Sequence, residues 1–397
     1  MSRFAPLFAV CFGCLFVAHL LAVEIPAFVE LGSPQEEAYF VTFSPDGKKI
    51  VTTNRQFIAK IWDADTGEEL QKIDAVVIRD TIQPPTSTYI PKLTSAAFSP
   101  DGKKLVTASC EKFARIWDMG TGKELHKLEG HDGEVRSVAF SLDGKKVATA
   151  AWDDTARIWD AESGKELQKL EFPRMDEIPG WSKGIFAVFS PDGKKIITYA
   201  FNDSIVRIWD TETGKTLLEL KGHSPSPCSA AFSPDGKEVV TTTWESLVRI
   251  WDAETGKVLH TVGGGVISGV REFPIFPDRK RIILRTGDTA AKICDIESGK
   301  ELYRLKRVDS DEYSKYVESL DLSPDGKKIV ARSYDAQNSQ QIVRIWDADT
   351  GKVLQTLTGH TYGIVFARFS PDGKKIAVPT GDTHHGYITH TRIWKLE

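Results

Sequence analysis

Residues Gly130–Leu170 read GHDGEVRSVAFSLDGKKVATAAWDDTARIWDAESGKELQKL, and this stretch decides the fold. Within it VRSVAF, KKVATA, ARIWD and ELQKL are short runs rich in β-branched and apolar residues, each bounded by turn chemistry, so the stretch reads as four strands. Between the first two strands most other copies carry Ser-Pro-Asp-Gly, where proline presets φ near −65° and glycine allows a positive φ, which together make a tight reversal. Thr-Gly-Lys, as in Thr121-Gly122-Lys123, does the same between the third and fourth strands.

The pattern recurs eight times. The apolar-Ser-Pro-Asp-Gly element stands at Phe43, Phe98, Phe140, Phe189, Phe232, Phe276, Leu322 and Phe369. Ile-Trp-Asp follows each time, at Trp62, Trp117, Trp159, Trp209, Trp251, Cys294, Trp346 and Trp394, with cysteine replacing tryptophan in the sixth copy. A lone four-stranded sheet cannot cover both faces, whereas packing such sheets around a common axis hides them and leaves only short edges. The expected fold is therefore an all-β propeller. The last copy stops at TRIWKLE, after its third strand, and FVELGS (28–33) ahead of the first copy has the pattern of a fourth strand. The N-terminal strand is thus expected to complete the C-terminal blade, which closes the count at eight. Seven blades plus a stray hairpin is the alternative, because the sixth copy is degenerate.

These units resemble WD40 repeats, and the resemblance covers nearly everything after Ala22, with the texture of bacterial-type WD40 β-propellers. It implies a binding platform and a structural tetrad inside the blade, which the third copy matches with His131, Thr149, Asp153 and Trp159. The fifth copy offers His223, Thr241, Glu245 and Trp251, with glutamate for aspartate. A His–Thr–Asp set invites a catalytic reading, but its members tie strands together and no activated nucleophile is implied.

Composition sets further bounds. The chain has 397 residues, 41% hydrophobic and 27% charged, with a net charge of −4 that argues against nucleic acid as a partner. Met1-Ser2-Arg3 is followed by an uncharged run from Phe4 to Ala22, which reads as a signal peptide or signal anchor over residues 1–22. The remainder, 27–397, reads as one propeller domain, exported to the periplasm, the extracellular space or the cell surface. Membrane contact is expected only through an uncleaved N-terminal segment, and a monomer is expected. Beyond the signal segment Cys110, Cys228 and Cys294 show neither a disulfide framework nor zinc spacing. No cofactor and no metal site is expected. Gly263-Gly264-Gly265 is no phosphate loop, since it does not join a strand to a helix. Asn202-Asp203-Ser204 is a glycosylation sequon only in a eukaryotic secretory route.

The copies differ on one side only. Turns from first to second and from third to fourth strand share one face and are nearly constant. Inter-blade connections and second-to-third hairpins share the other, and the sizeable insertions fall there: 74–93, FPRMDEIPGWSKG, KRVDSDEYSKYVE, SYDAQNSQQ from Ser333 and PTGDTHHGYITHT from Pro379. Trp181, Tyr313, Tyr316, Tyr334 and Tyr387, with His384 and His385, are the candidate partner-binding residues, the aromatics because such anchors are enriched in interfaces. His384, His385 and His390 beside Asp382 raise zinc or copper, but no ligand on another element can be assigned. A non-catalytic platform for a protein or peptide is the leading functional reading. A hydrolase or lyase in the central channel and a structural envelope protein are the alternatives, because fold alone decides no function.

Overall fold

A computed structural model describes residues 28–32, 38–54, 58–74, 93–109, 111–172, 185–200, 203–223, 227–243, 247–263, 275–278, 280–285, 291–305, 318–335, 340–360, 363–382 and 387–396. It is an eight-bladed all-β propeller. Blade 3 shows the common plan: Val135–Phe140, Lys146–Ala151, Thr155–Asp160 and Glu166–Glu171 pair antiparallel in sequence order. The second strand is buried on both faces except at its start, while the fourth alternates and buries only its fifth residue, Leu170. First strands of neighbouring blades touch one another, so they line the axis and the fourth strands form the rim.

The core lies between blades rather than within them. Val106, Ile116 and Leu128 of blade 2 pack on Val135, Val147 and Trp159 of blade 3. Corresponding clusters recur at every seam, and the last one joins Leu31, Ala377 and Ile393 to Val41, Ile50 and Trp62. Each sheet face thus gains the apolar cover that a lone blade lacks.

The ring is closed by the N-terminal strand. Phe28–Leu31 pairs antiparallel with Tyr387–Lys395, with Phe28 opposite Trp394 and Leu31 opposite Thr391. Leu31 is buried, and the Phe28 ring packs against the Trp394 ring in a tilted arrangement with centroids 4.8 Å apart. The degenerate sixth copy still forms a blade, with strands Arg281–Arg285, Ala291–Asp295 and Glu301–Leu305 and a single bridge from Ile275 to Ile282 in place of a described first strand. Two stretches read from the sequence as loop insertions are largely strand. Blade 7 runs Lys328–Asp335 and Gln340–Asp347, and blade 8 runs Lys375–Asp382 and Tyr387–Lys395. Alternating Ser, Tyr, Gln, Thr and Ile side chains let the ladder continue past the point where other hairpins turn.

Candidate binding face

The constant turns do more than reverse the chain. In each Ser-Pro-Asp-Gly turn the serine hydroxyl donates to the aspartate, as Ser99 Oγ to Asp101 Oδ1 at 2.6 Å, and accepts from the Lys104 amide at 2.8 Å. In several blades the second lysine after the glycine, or Arg281 in its place, then reaches the next blade. Lys104 Nζ donates to the Ala161 carbonyl at 3.1 Å and to Glu162 at 2.6 Å. Lys146 reaches Thr211, Lys195 reaches Ala253, and Arg281 reaches Ala348 and Asp349. Lys375 closes the ring on Gly47 O at 3.1 Å and Asp65 at 3.0 Å. Constancy on this face therefore has a structural cause: the turns of blades 2, 3, 4, 6 and 8 each supply one half of a clasp between blades.

Inside the blades, threonine joins the second strand to the tryptophan of the third. Trp62 to Thr52, Trp117 to Thr107, Trp159 to Thr149 and Trp251 to Thr241 span 2.8 Å, and Trp209 to Thr198 spans 2.7 Å. In blade 3, His131 Nε2 lies 2.7 Å from Thr149 Oγ1 and Nδ1 lies 2.8 Å from Asp153 Oδ2. The sequence did not reveal a fifth member, Thr155, whose hydroxyl lies 3.1 Å from His131 Nδ1 and donates to Asp153. Burial opposes the charge on Asp153, yet the hydrogen bonds from His131 and Thr155 hold its carboxyl well below the ordinary range. Thr149 is fully buried, so the set is a strut and not a nucleophile with its base.

Blade 5 keeps half of this arrangement. His223 Nε2 lies 2.8 Å from Thr241 Oγ1, but Nδ1 faces the Ser204 carbonyl of blade 4 at 3.2 Å, and Glu245 lies outside the described residues. Burial, then the charge of Arg249, lowers His223 to about 4. Blade 8 has His360 and Trp394, but Val378 stands where threonine would. Both imidazole nitrogens of His360 and the indole nitrogen of Trp394 are buried without a hydrogen-bond partner. Burial, then the charge of Arg392, lowers His360 to about 4. Blade 7 has Ala331 at the same position and an unpartnered Trp346 indole, and blade 6 has Leu284 with Cys294. The threonine tie is thus present in blades 1–5 and missing in the consecutive blades 6–8.

The variable face is built differently. Blade 7's hairpin extends as a ribbon from Arg332 opposite Val343 to Asp335 opposite Gln340. Blade 8's runs from Pro379 opposite Thr391 to Asp382 opposite Tyr387, with a bulge at Thr380/Gly381. The two ribbons are neighbours in the ring, and the blade 7 ribbon is tied to the first strand of blade 8, whose Ile364 lies opposite Thr380. Arg332 Nη1 donates to the Ile364 carbonyl, and the Ile364 amide donates to Gln341 Oε1 at 2.5 Å. Tyr334 and Tyr387 sit on these ribbons as backbone positions, whereas Trp181, Tyr313, Tyr316, His384 and His385 lie outside the described residues. The sequence reading passed over Trp152, half-buried at the blade 3 hairpin, with the Arg136 guanidinium 3.8 Å from its ring. Its signal is an aromatic at the first position of a second-to-third turn.

Comparisons with known proteins agree with this architecture. The family described as WD domain, G-beta repeat matches residues 84–118, 122–160, 173–210, 214–252 and 351–386. A WD repeat-containing protein, VIP3, of Arabidopsis thaliana is 30% identical over 109 residues, which are 27% of this chain and 34% of that protein. A probable serine/threonine-protein kinase, PkwA, of Thermomonospora curvata is 46% identical over 43 residues, 11% of this chain and 6% of that protein. The chain therefore spans about a third or less of these curated relatives. The crystal structure of the computationally designed Ika8 protein superposes with a TM-score of 0.68 at 22% identity, over 92% of this chain and 98% of that one, which concerns the fold alone.

Proposed function

The chain is a WD40-repeat protein, and from that premise we propose that it is a non-catalytic platform that binds a protein or peptide partner outside the cytoplasm, on the face of the inter-blade connections and second-to-third hairpins. Propellers of this family are interaction scaffolds as a class. One observation supports the choice of face: the blade 7 ribbon grips Ile364, the first-strand residue of blade 8 that lies opposite Thr380 at the foot of the blade 8 ribbon. Two coupled ribbons present a preorganised surface, which lowers the ordering cost of association. The opposite face is occupied by clasps between blades, so its side chains are engaged within the ring. Export rests on the uncharged run from Phe4 to Ala22 behind Arg3.

The test trims both ribbons to the hairpin length of blade 3 and compares affinity capture by the trimmed and full chains from the native compartment. The full chain should retain a partner that the trimmed chain loses, with thermal unfolding unchanged. Retention of the same partner by the trimmed chain refutes the assignment.

A further inference from the structure

The strand that closes the ring also brings the chain into the propeller, and it enters from the constant face. Phe28 lies opposite Trp394, and Trp394 pairs with Ile376, just beyond the Ser370–Gly373 turn. Lys395 Nζ lies 3.7 Å from Asp65 in the third-to-fourth turn of blade 1, and a Cβ added at Gly67 of that turn would meet Val29. From Phe28 the strand runs towards the variable face and ends at Leu31, opposite Thr391. Only five residues, Val23 to Ala27, separate Phe28 from the uncharged run Phe4–Ala22.

The run is suited to staying in a bilayer. At 1.5 Å per residue a helix of its nineteen residues measures about 28 Å, close to a hydrocarbon core of roughly 30 Å. A cleavage site calls for small residues at its last and third-last places, but at that spacing Ala22 follows Leu20 and Ala27 follows Ile25. Arg3 precedes the run and no lysine or arginine follows it until Lys48, the asymmetry that keeps the N-terminus inside and sends the rest across. The link then limits how the propeller can sit. Its six steps from Ala22 to Phe28 reach roughly 20 Å. From Trp394 back to Tyr387 on the blade 8 ribbon is seven steps of strand, roughly 23 Å. Ribbon tips resting on the bilayer would hold Phe28 farther off than the link can reach.

We infer, on the export reading above, that residues 4–22 stay in the bilayer as an anchor and that the short link turns the constant face towards the lipid, with the blade 7 and blade 8 ribbons pointing away from it. The edge nearest the link suits that contact. Phe28 is 38% exposed, and Leu354 and Leu70 in the flanking blades are 54% and 47% exposed. All three stand at one level: Leu354 follows Val353, opposite Trp346, and Leu70 follows Glu69, opposite Trp62, as Phe28 is opposite Trp394. Three apolar side chains on consecutive blades thus border the link, and lipid covering them removes apolar surface from water. The turns beside them each carry one exposed aspartate and one exposed lysine, Asp46 with Lys48 and Asp372 with Lys374, so the contact needs no anionic headgroup.

In producing cells the full chain should sediment with membranes, resist a carbonate wash and keep its full mass. A soluble chain shortened at Ala22 or Ala27 overturns the inference. The purified full chain is then reconstituted in phosphatidylcholine liposomes carrying a rhodamine lipid. A donor dye is placed by amber suppression at Lys374 on the constant face or at Gln340 on the blade 7 ribbon, sites that differ in depth by roughly 20 Å. Energy transfer should be at least about twofold greater from Lys374. Lengthening the link by about thirty glycine and serine residues, to a span of roughly 30 Å, should narrow that difference. Equal transfer with the native link, greater transfer from Gln340, or a difference that the long link leaves unchanged overturns the orientation. Partner capture and export are read separately, by the ribbon-trimmed chain and by protease added outside the cells, and neither result moves the energy-transfer readings.

Discussion

Replacing Val378 by threonine should give blade 8 the acceptor that it lacks. Val378 is fully buried and stands two residues beyond Ile376, as Thr149 stands two beyond Val147. Trp394 and His360 already bear the cost of buried nitrogens without partners. A hydroxyl at the volume of the lost methyl would accept from the indole and meet the imidazole, as Thr149 does at 2.8 and 2.7 Å. Two hydrogen bonds contribute about 0.5–1.5 kcal/mol each. Loss of one buried methyl removes about 0.8 kcal/mol. The net gain is about 1 kcal/mol. The reciprocal change, Thr149→Val, leaves two buried nitrogens unsatisfied and should cost about 2–4 kcal/mol. Urea unfolding followed by tryptophan fluorescence measures both. A lowered midpoint for Val378→Thr, or a cost under about 0.5 kcal/mol for Thr149→Val, refutes the assignment of threonine as the tie that holds the blade.

The depressed histidines give a pH signature. His223 and His360 titrate near 4 in the fold, below the ordinary 6.5, because burial disfavours their charged forms. The unfolded chain therefore takes up protons first, and stability should fall as pH drops from about 6.5 towards 4. His360→Phe should flatten that decline, measured as urea midpoints at pH 7.5 and 5, and an unchanged slope would contradict it. Asp153 adds little between pH 7.5 and 5, where an aspartate is ionised in the folded and the unfolded chain alike, and its contribution is lost only as pH falls further. The closing strand gives a second contrast. Gly67 has φ +77° and an added Cβ would stand 2.4 Å from Val29 Cγ1, whereas Gly102 has φ +68° and nothing within 4 Å. Alanine should cost about 1–2 kcal/mol at Gly102 from backbone strain alone and a further 1–3 kcal/mol or so at Gly67 from overpacking. Equal costs would mean that the N-terminal strand is not packed against the first blade.

Most of the architecture was legible because repetition averages out local ambiguity. FVEL was recognisable as a fourth strand only by comparison with LQKL and its equivalents, and its pairing with Tyr387–Lys395 is what makes eight blades from eight triplets. The clasps were not legible, although both halves were quoted as constant turns. A single copy shows a lysine and an acid in two different turns, and only the ring brings Lys104 of one blade to Glu162 of the next. The extended ribbons were mistaken for loops because a departure from the repeat was equated with loss of strand.

The missing threonines in blades 6–8 raise the question of what keeps that arc rigid. Three consecutive blades without the tie should be weaker inside, each by about 1 kcal/mol. The seams of the same arc carry contacts beyond the common clasp. Tyr303 donates to the Ala348 carbonyl across blades 6 and 7, and the Phe369 amide donates to Asp321 Oδ2 at 2.8 Å across blades 7 and 8. Arg332 donates to the carbonyl of Ile364, and the Ile364 amide donates to Gln341. Such seam contacts recur elsewhere, as His126 to the Glu162 carbonyl and Gln168 to the Glu212 carbonyl, so the arc keeps its hold between blades although it lacks the tie within them. The consequence bears on the proposed binding face: with the blade 7 ribbon fastened to the strand that pairs with the foot of the blade 8 ribbon, a partner touching both would meet one surface rather than two independent hairpins.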